Sequence, residues 1–168
     1  MNKIYFILTG GTIDSTTTGQ DRDTLLKISA VPEYFQSLGM GTELEFAQIC
    51  MKDSRDVTEN DRKKILQEVE GSLINKIIIT HGTFTMVQTA QFLEKELARK
   101  DQTVILTGSL IPLVGFKNSD APFNLKYAVK QASALSPGVY VCMNECSFPA
   151  QEAAKDENTG KFYSKLVV

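Results

Sequence analysis

The chain has 168 residues, of which 42% are hydrophobic, and its formal net charge of −2 is close to neutral. This length is enough for one domain with a sizeable core. The balanced charge and the lack of a Lys/Arg run exclude the basic surface that is typical of nucleic-acid-binding proteins, and no apolar run reaches the roughly 20 residues of a transmembrane helix.

The cysteines and the first residues of the chain bear on cofactors and location. Cys50, Cys142 and Cys146 are odd in number and lack the spacing of a metal site, and the chain holds a single histidine. The N-terminus leads directly into an apolar run, without the basic region and cleavage site of a secretory signal. We therefore expect a cytoplasmic protein with reduced thiols and with no metal or organic cofactor.

Short strand-like runs alternate with amphipathic segments along the chain. Strands that alternate with helices in this way form parallel sheets covered by helices. The sequence therefore predicts an α/β protein with a mostly parallel sheet of about five strands. The predicted strands are residues 4–8, 44–51, 77–80, 103–106 and 139–143.

Four helices are predicted between these strands. The first begins at Pro32 and ends near Gly39, and the second is capped by Thr58 and ended by Gly71. The fourth spans about residues 123–134. The third carries an apolar stripe at helical spacing. That stripe consists of Met86, Ala90, Leu93 and Leu97.

Two polar stretches interrupt the alternation. Residues 14–23 lack periodicity and predict either a mobile loop or lid, or simply a long connection. The segment after residue 144 is polar with one late apolar run, and no strand or helix is predicted in it.

The turns that follow four predicted strands are rich in Gly, Thr, Ser and Asp. They are residues 9–12, 53–56, 80–85 and 107–109. The carboxyl ends of parallel strands lie at one edge of a sheet, where open α/β folds bind their ligands. These residue types also favour tight turns and helix caps. Four such turns together favour a site for a carboxylate or an oxyanion, which small polar groups and backbone N–H donors bind well.

Five segments occur in an order that characterises a known family. Two are Thr9-Gly10-Gly11-Thr12-Ile13 and Thr80-His81-Gly82-Thr83, and the others are residues 53–56, 107–112 and 118–125. As far as about residue 146, the chain resembles the bacterial-type L-asparaginases/glutaminases. The resemblance implies a flavodoxin-like three-layer α/β/α fold. It also implies a single asparaginase N-terminal-like domain over residues 1–168, with a C-terminal tail at 145–168 and without the family's second domain.

The resemblance further implies acyl transfer by a threonine nucleophile. Thr12 would attack the carboxamide carbon, ammonia would leave, and water would hydrolyse the acyl-enzyme. Thr83 would position that water or take part in proton transfer. Ser54 would bind the substrate carboxylate, assisted by Arg55. The substrate-binding residues expected around the two threonines are Gly11, Asp53, Ser54, Arg55, Gly82, Phe84 and Ser109.

Several positions depart from the family pattern. Phe84 stands where the family has an aspartate that engages the substrate ammonium, and its ring is either a core filler or one wall of a reshaped pocket. Asp120, an expected helix cap, is the nearest candidate to replace that carboxylate. The family lysine would fall near Leu135, where the chain has none, and residues 14–28 lack the family's lid tyrosine. Activity is therefore expected to be altered or lost.

Three functions remain open at this point. The first is an asparaginase-like amidohydrolase, acting on asparagine or a related small amide. The second is a non-catalytic binder of an amino acid, amide or dicarboxylate. The third, a nucleotide or phosphate binder, is disfavoured because Gly10-Gly11 is not the dinucleotide fingerprint and no P-loop lysine follows.

Two further expectations concern partners and the histidine. We expect a small-molecule substrate, no nucleic-acid or membrane partner, and a homodimer or higher homo-oligomer, since the family completes its pocket with a second subunit. His81, like its family counterpart, is expected to be structural.

Overall fold

The computed structural model describes residues 3–18, 22, 24–40 and 43–166. A six-stranded sheet with the strand order β2-β1-β3-β4-β5-β6 forms its centre. The strands are β1 (Ile4–Gly10), β2 (Leu44–Lys52), β3 (Lys76–Thr80), β4 (Thr103–Thr107), β5 (Gly138–Met143) and β6 (Cys146–Pro149). The helices are α1 (Val31–Ser37), α2 (Glu59–Gly71), α3 (Met86–Glu96) and α4 (Ala121–Ala134).

The order of the first five strands is that of a doubly wound, flavodoxin-like sheet. These strands are parallel, and only β6 is antiparallel, to β5. The predicted α/β class and the mostly parallel sheet are confirmed. No described helix combines the length and the apolar character that crossing a membrane requires.

Two apolar cores lie on the two faces of the sheet. Because successive side chains of a strand point to opposite faces, Ile7 and Ile79 enter one core while Phe6 and Ile78 enter the other. Helices α2 and α3 cover the first face, and α1 and α4 cover the second. The whole predicted stripe of α3 is buried.

The start of α2 shows how sequence signals fix the helix ends. Thr58 Oγ1 accepts the backbone N–H of Asp61, and Asp61 Oδ2 accepts the backbone N–H of Thr58 at 2.8 Å. This reciprocal pair satisfies N–H groups that have no partner within the helix, and it confirms Thr58 as the cap. Helix α4 begins at Ala121, two residues before the predicted start at Phe123, because Pro122 suits the first helical turn.

The segment after residue 144 contains strands that the sequence analysis did not predict. Asn144 and Glu145 adopt φ angles of 53° and 58° and form the tight turn between β5 and β6. A two-stranded hairpin follows, made of β7 (Ala153–Lys155) and β8 (Phe162–Ser164). Ala153 and Phe162 are buried in the core beneath α3, so this hairpin packs onto the main sheet domain.

Candidate functional site

Three strand-exit turns pack against one another at the carboxyl edge of the sheet. Gly11 has φ +85°, and a Cβ built on it would lie 2.4 Å from the backbone N and Cα of Gly82. A Cβ on Gly82 would lie 2.6 Å from Ser54 Oγ. Only glycine fits both positions. The turns at 9–12, 53–56 and 80–85 therefore meet, as the sequence predicts.

Thr12 begins a short 3₁₀ turn, Thr12–Asp14, directly after Gly11. Thr12 is partly exposed at the rim, which is the surface formed by these turns at the carboxyl edge of the sheet, whereas the neighbouring Ile13 is buried. The carbonyl of Ile13 accepts the backbone N–H of Leu113 at 3.0 Å. These neighbours fix the backbone at Thr12 and leave the residue accessible from solvent.

Thr83 lies on the facing turn and contacts a lysine that the sequence analysis missed. Lys155 Nζ donates a hydrogen bond to Thr83 Oγ1 at 3.4 Å. The Lys155 side chain is only 8% exposed, and Glu157 lies 3.6 Å from its Nζ with 64% exposure. Because β7 ends at Lys155, the hairpin carries this cation into the rim.

The sequence analysis places the family lysine near Leu135, where the chain has none. Leu135 caps the C-terminus of α4 and packs against the core, and the lysine that reaches the second threonine is instead Lys155. The signal that could have found it is the run Asp156 to Gly160, whose residue types favour a tight turn and hence a hairpin.

Phe84 is not a core filler, because its ring is 37% exposed. The guanidinium carbon of Arg55 lies 4.2 Å from the ring centroid, and Lys155 Nζ lies 4.5 Å from it. Both distances are within the range of cation–π attraction. The ring therefore lies at the rim in contact with two cations, next to Thr83.

Asp53 organises the second turn. Its carboxylate accepts the backbone N–H and the Nε–H of Arg55, each at 2.9 Å. Ser54 Oγ accepts the backbone N–H of Thr85 at 3.3 Å, and the Ser54 carbonyl accepts the Thr85 hydroxyl at 2.6 Å. Arg55 is thus anchored by a buried carboxylate, and Ser54 joins this turn to the β3 exit.

His81 has the structural position that the sequence analysis expects. Its Nδ1 lies 2.8 Å from the Gly82 carbonyl, and its Nε2 lies 3.0 Å from Thr89 Oγ1, which also accepts the Nε–H of Arg62. These contacts fit a neutral ring that donates from Nδ1 and accepts at Nε2. Burial lowers the pKa of His81 from 6.5 to about 4.

Ser109 and Asp120 shape the fourth turn. Ser109 Oγ is buried and has no hydrogen-bond partner within the described parts of the chain. Asp120 occupies the N-cap position of α4, but its carboxylate instead accepts the backbone N–H groups of Leu110 and Ile111 and the Nδ2–H of Asn124. It therefore holds the loop after β4 in place.

The connection after Thr12 is tied back to the sheet by Asp14. Asp14 Oδ1 accepts from Ser29 Oγ and from the Ala30 backbone N–H, each at 2.9 Å. Burial raises the pKa of Asp14. Residues 19–21 and 23 of the predicted loop or lid at 14–23 lie outside the described residues. The described ranges contain no group of three or more His, Cys, Asp or Glu residues that could hold a metal ion.

Comparison with known proteins agrees with the motifs. A family model described as "Asparaginase, N-terminal" matches residues 3–162. The glutaminase-asparaginase of Acinetobacter glutaminasificans is 31% identical over 94% of this chain and 50% of its own length. The thermostable L-asparaginase from Thermococcus kodakarensis superposes with a TM-score of 0.81 at 30% identity, over 96% of this chain and 51% of that one.

A second solved structure agrees. A probable cytoplasmic L-asparaginase from Campylobacter jejuni gives a TM-score of 0.84 at 25% identity, over 99% of this chain and 54% of that one. The chain spans about half the length of the curated relatives it matches. The ordered motifs, the fold and the family match together assign the chain to the asparaginase family, with residues 3–162 corresponding to its N-terminal domain.

Proposed function

We propose that the protein is an asparaginase-like amidohydrolase that uses Thr12 as its nucleophile on asparagine or a related small amide. The observation that carries this proposal is the 3.4 Å contact between Lys155 Nζ and Thr83 Oγ1, made by a lysine with 8% exposure. A cation shielded from water interacts strongly with charge that develops beside it. Gly82, which precedes Thr83, packs against Gly11, which precedes Thr12, so the two threonine turns are in contact.

The reaction would proceed in two half-reactions. The Thr12 hydroxyl oxygen bonds to the amide carbon, its proton passes to the leaving nitrogen, and the C–N bond breaks to release ammonia and leave an ester. Water then adds to the ester carbon, the bond to Thr12 breaks, and the acid leaves as Thr12 regains its proton. Thr83 relays protons, and the Lys155 ammonium stabilises negative charge on the Thr83 oxygen.

The remaining predicted residues would hold the substrate. Gly11 and Gly82 let the two threonine turns approach closely, and Ser54 joins the second turn to them. A substrate carboxylate would bind between the turns at 53–56 and 80–85, near Arg55. Because Asp53 pairs with Arg55, this arginine would present its charge in one fixed orientation, and Ser109 would supply a further hydroxyl at the β4 exit.

The second candidate, a non-catalytic binder of an amino acid, amide or dicarboxylate, is favoured by Phe84. A phenyl ring can neither accept a proton nor form an ion pair with a substrate ammonium, whereas the rim retains cations that bind an anion. Such a binder would hold ligands at the same turns without ammonia release.

We also propose that the chain forms a homodimer or higher homo-oligomer. Val114 is 55% exposed and lines a cleft with Tyr34 and Pro122, and the adjacent Phe123 is 68% exposed. Apolar surface of this kind favours association. Sedimentation at micromolar concentration should give a multiple of the single-chain mass, and a single-chain mass would refute the proposal.

A cytoplasmic location is proposed on the basis of the cysteines. Cys50, Cys142 and Cys146 are free thiols, as is usual in a reducing compartment. Fractionation of the source cells should recover the protein with cytoplasmic markers, and recovery with periplasmic or secreted markers would contradict this location.

The experiment that tests the amidohydrolase proposal is ammonia release from a panel of small amides, including asparagine and glutamine. Thr12→Val removes the nucleophilic hydroxyl. Thr103→Val is the matched control, because Thr103 begins β4 and so lies at the edge of the sheet opposite the strand-exit turns. We expect release by the wild type and by Thr103→Val but not by Thr12→Val. Ligand binding with no release from any amide would instead support the non-catalytic binder.

A further inference from the structure

The surroundings of Phe84 carry information about the substrate. Arg55 and Lys155 are 4.2 Å and 4.5 Å from its ring centroid, so two cations contact one partly exposed ring. Phe84 directly follows Thr83, whose hydroxyl also binds Lys155. A substituent on the substrate carbon chain near the reacting carbonyl would therefore meet both the ring and the two cations.

The carboxylates around these cations are already engaged. Asp53 is 4% exposed, and it binds both the guanidinium and the backbone N–H of Arg55. Glu157 pairs with Lys155 from a position that is 64% exposed, where water screens its charge. The four charges sum to zero, but the two cations contact the ring, and Lys155 is shielded from solvent.

We infer that the site selects amides that carry a carboxylate but no ammonium group, such as the half-amide of a four-carbon dicarboxylic acid. The inference rests on the proposed function for the reaction, and it adds the substrate class. An ammonium at the ring would lie within roughly 5 Å of two like charges. An uncharged methylene there packs against the ring, and the cations attract the carboxylate.

The selectivity is expected to be large enough to measure. Repulsion from one bare like charge at about 5 Å, at the effective dielectric of a protein surface, would weaken binding by over a hundredfold. The carboxylates of Asp53 and Glu157 offset part of this repulsion, and a factor of about ten is expected to remain because water screens Glu157. We therefore expect succinamate to bind at least about tenfold more tightly than asparagine, from which it differs only by the amine.

The test measures binding separately from turnover. Calorimetry with the Thr12→Val chain gives dissociation constants for succinamate and asparagine without hydrolysis, and the same titrations are made in the Thr12→Val/Phe84→Asp and Thr12→Val/Phe84→Leu double variants. The aspartate supplies a partner for an ammonium and should shift the ratio of the two constants toward asparagine by about tenfold or more. The leucine keeps the position uncharged and should retain the preference for succinamate.

Each result decides the inference. Equal or tighter binding of asparagine, a ratio that Phe84→Asp leaves unchanged, or no binding of succinamate at millimolar concentration would overturn it. Preferential binding of succinamate by Thr12→Val, together with no ammonia release by the wild type, would uphold the ligand selectivity and refute the proposed hydrolysis. Ammonia release from asparagine at least as fast as from succinamate would refute the selectivity and uphold the hydrolysis.

Discussion

The buried histidine gives a stability prediction whose size follows from its surroundings. The ring of His81 is 1% exposed, and burial lowers its pKa from 6.5 to about 4. The unfolded chain therefore binds a proton as the pH falls below about 6.5, where the folded chain does not. The contribution of the neutral ring to the free energy of unfolding is fully present above pH 6.5 and is lost as the pH falls toward 4.

The expected loss can be worked out from these two values. The pKa of His81 differs by roughly 2.5 units between the unfolded and folded chains, and each unit corresponds to ~1.4 kcal/mol. Full protonation should therefore lower the free energy of unfolding by about 3 kcal/mol. Most of this contribution should be lost by pH 4.5. A loss of this size is a large fraction of the stability of an ordinary domain.

The assay is urea unfolding of wild type and His81→Gln at pH 7.5 and pH 4.5. The carboxylates titrate alike in both proteins, so the difference between the two free energies of unfolding isolates the histidine. His81→Gln should be the less stable protein at pH 7.5, since it disturbs the bonds to Gly82 and Thr89. That difference should shrink by about 2 to 3 kcal/mol at pH 4.5. An equal difference at both pH values would refute the reasoning.

Two further predictions concern the packed turns and the lysine. Gly11→Ala should lower stability by about 1–3 kcal/mol and abolish turnover, because its Cβ meets backbone at 2.4 Å, whereas Gly39→Ala, with φ +71° and no atom within 4 Å, should keep turnover. Urea unfolding measures the stability of the two variants, and ammonia release measures their turnover. Equal turnover in Gly11→Ala and Gly39→Ala would contradict the inference that the contact between the two turns is needed for activity. Lys155→Met should reduce kcat by about 100-fold or more with little change in the unfolding midpoint, while the exposed control Lys161→Met should leave both unchanged. A Lys155→Met variant with the wild-type kcat would show that the contact between Lys155 and Thr83 does not contribute to catalysis.

Local signals in the sequence predict the central sheet and its helices. Apolar runs such as residues 4–8 and 77–80 leave few alternatives to buried parallel strands, and the Thr58 cap locates the start of α2. The alternation of strands and helices predicts that the strand-exit turns share one edge of the sheet, and the structure explains the glycines there, because a Cβ on Gly11 or Gly82 would clash with the facing turn. These features depend on neighbours in the chain or on one simple contact.

The features that the sequence does not predict depend on distant contacts. Strands β6 to β8 are only three or four residues long, and Cys146–Pro149 lacks a clear apolar alternation. The role of Lys155 follows from the folding of that hairpin onto the domain, which brings it beside Thr83. The surroundings of Phe84 similarly include cations from two other segments. The run Asp156 to Gly160 could locate the hairpin, but no pattern within a short window of sequence encodes which distant side chains the hairpin contacts.

The central claim is that Thr12 forms a covalent acyl intermediate. The most direct measurement follows ammonia and hydroxamate production from the best amide in the presence of hydroxylamine, a stronger nucleophile than water that captures an ester intermediate. The account predicts both products with the wild type and neither with Thr12→Val. Ammonia release by Thr12→Val at the wild-type rate, or release by the wild type with no hydroxamate, would contradict it.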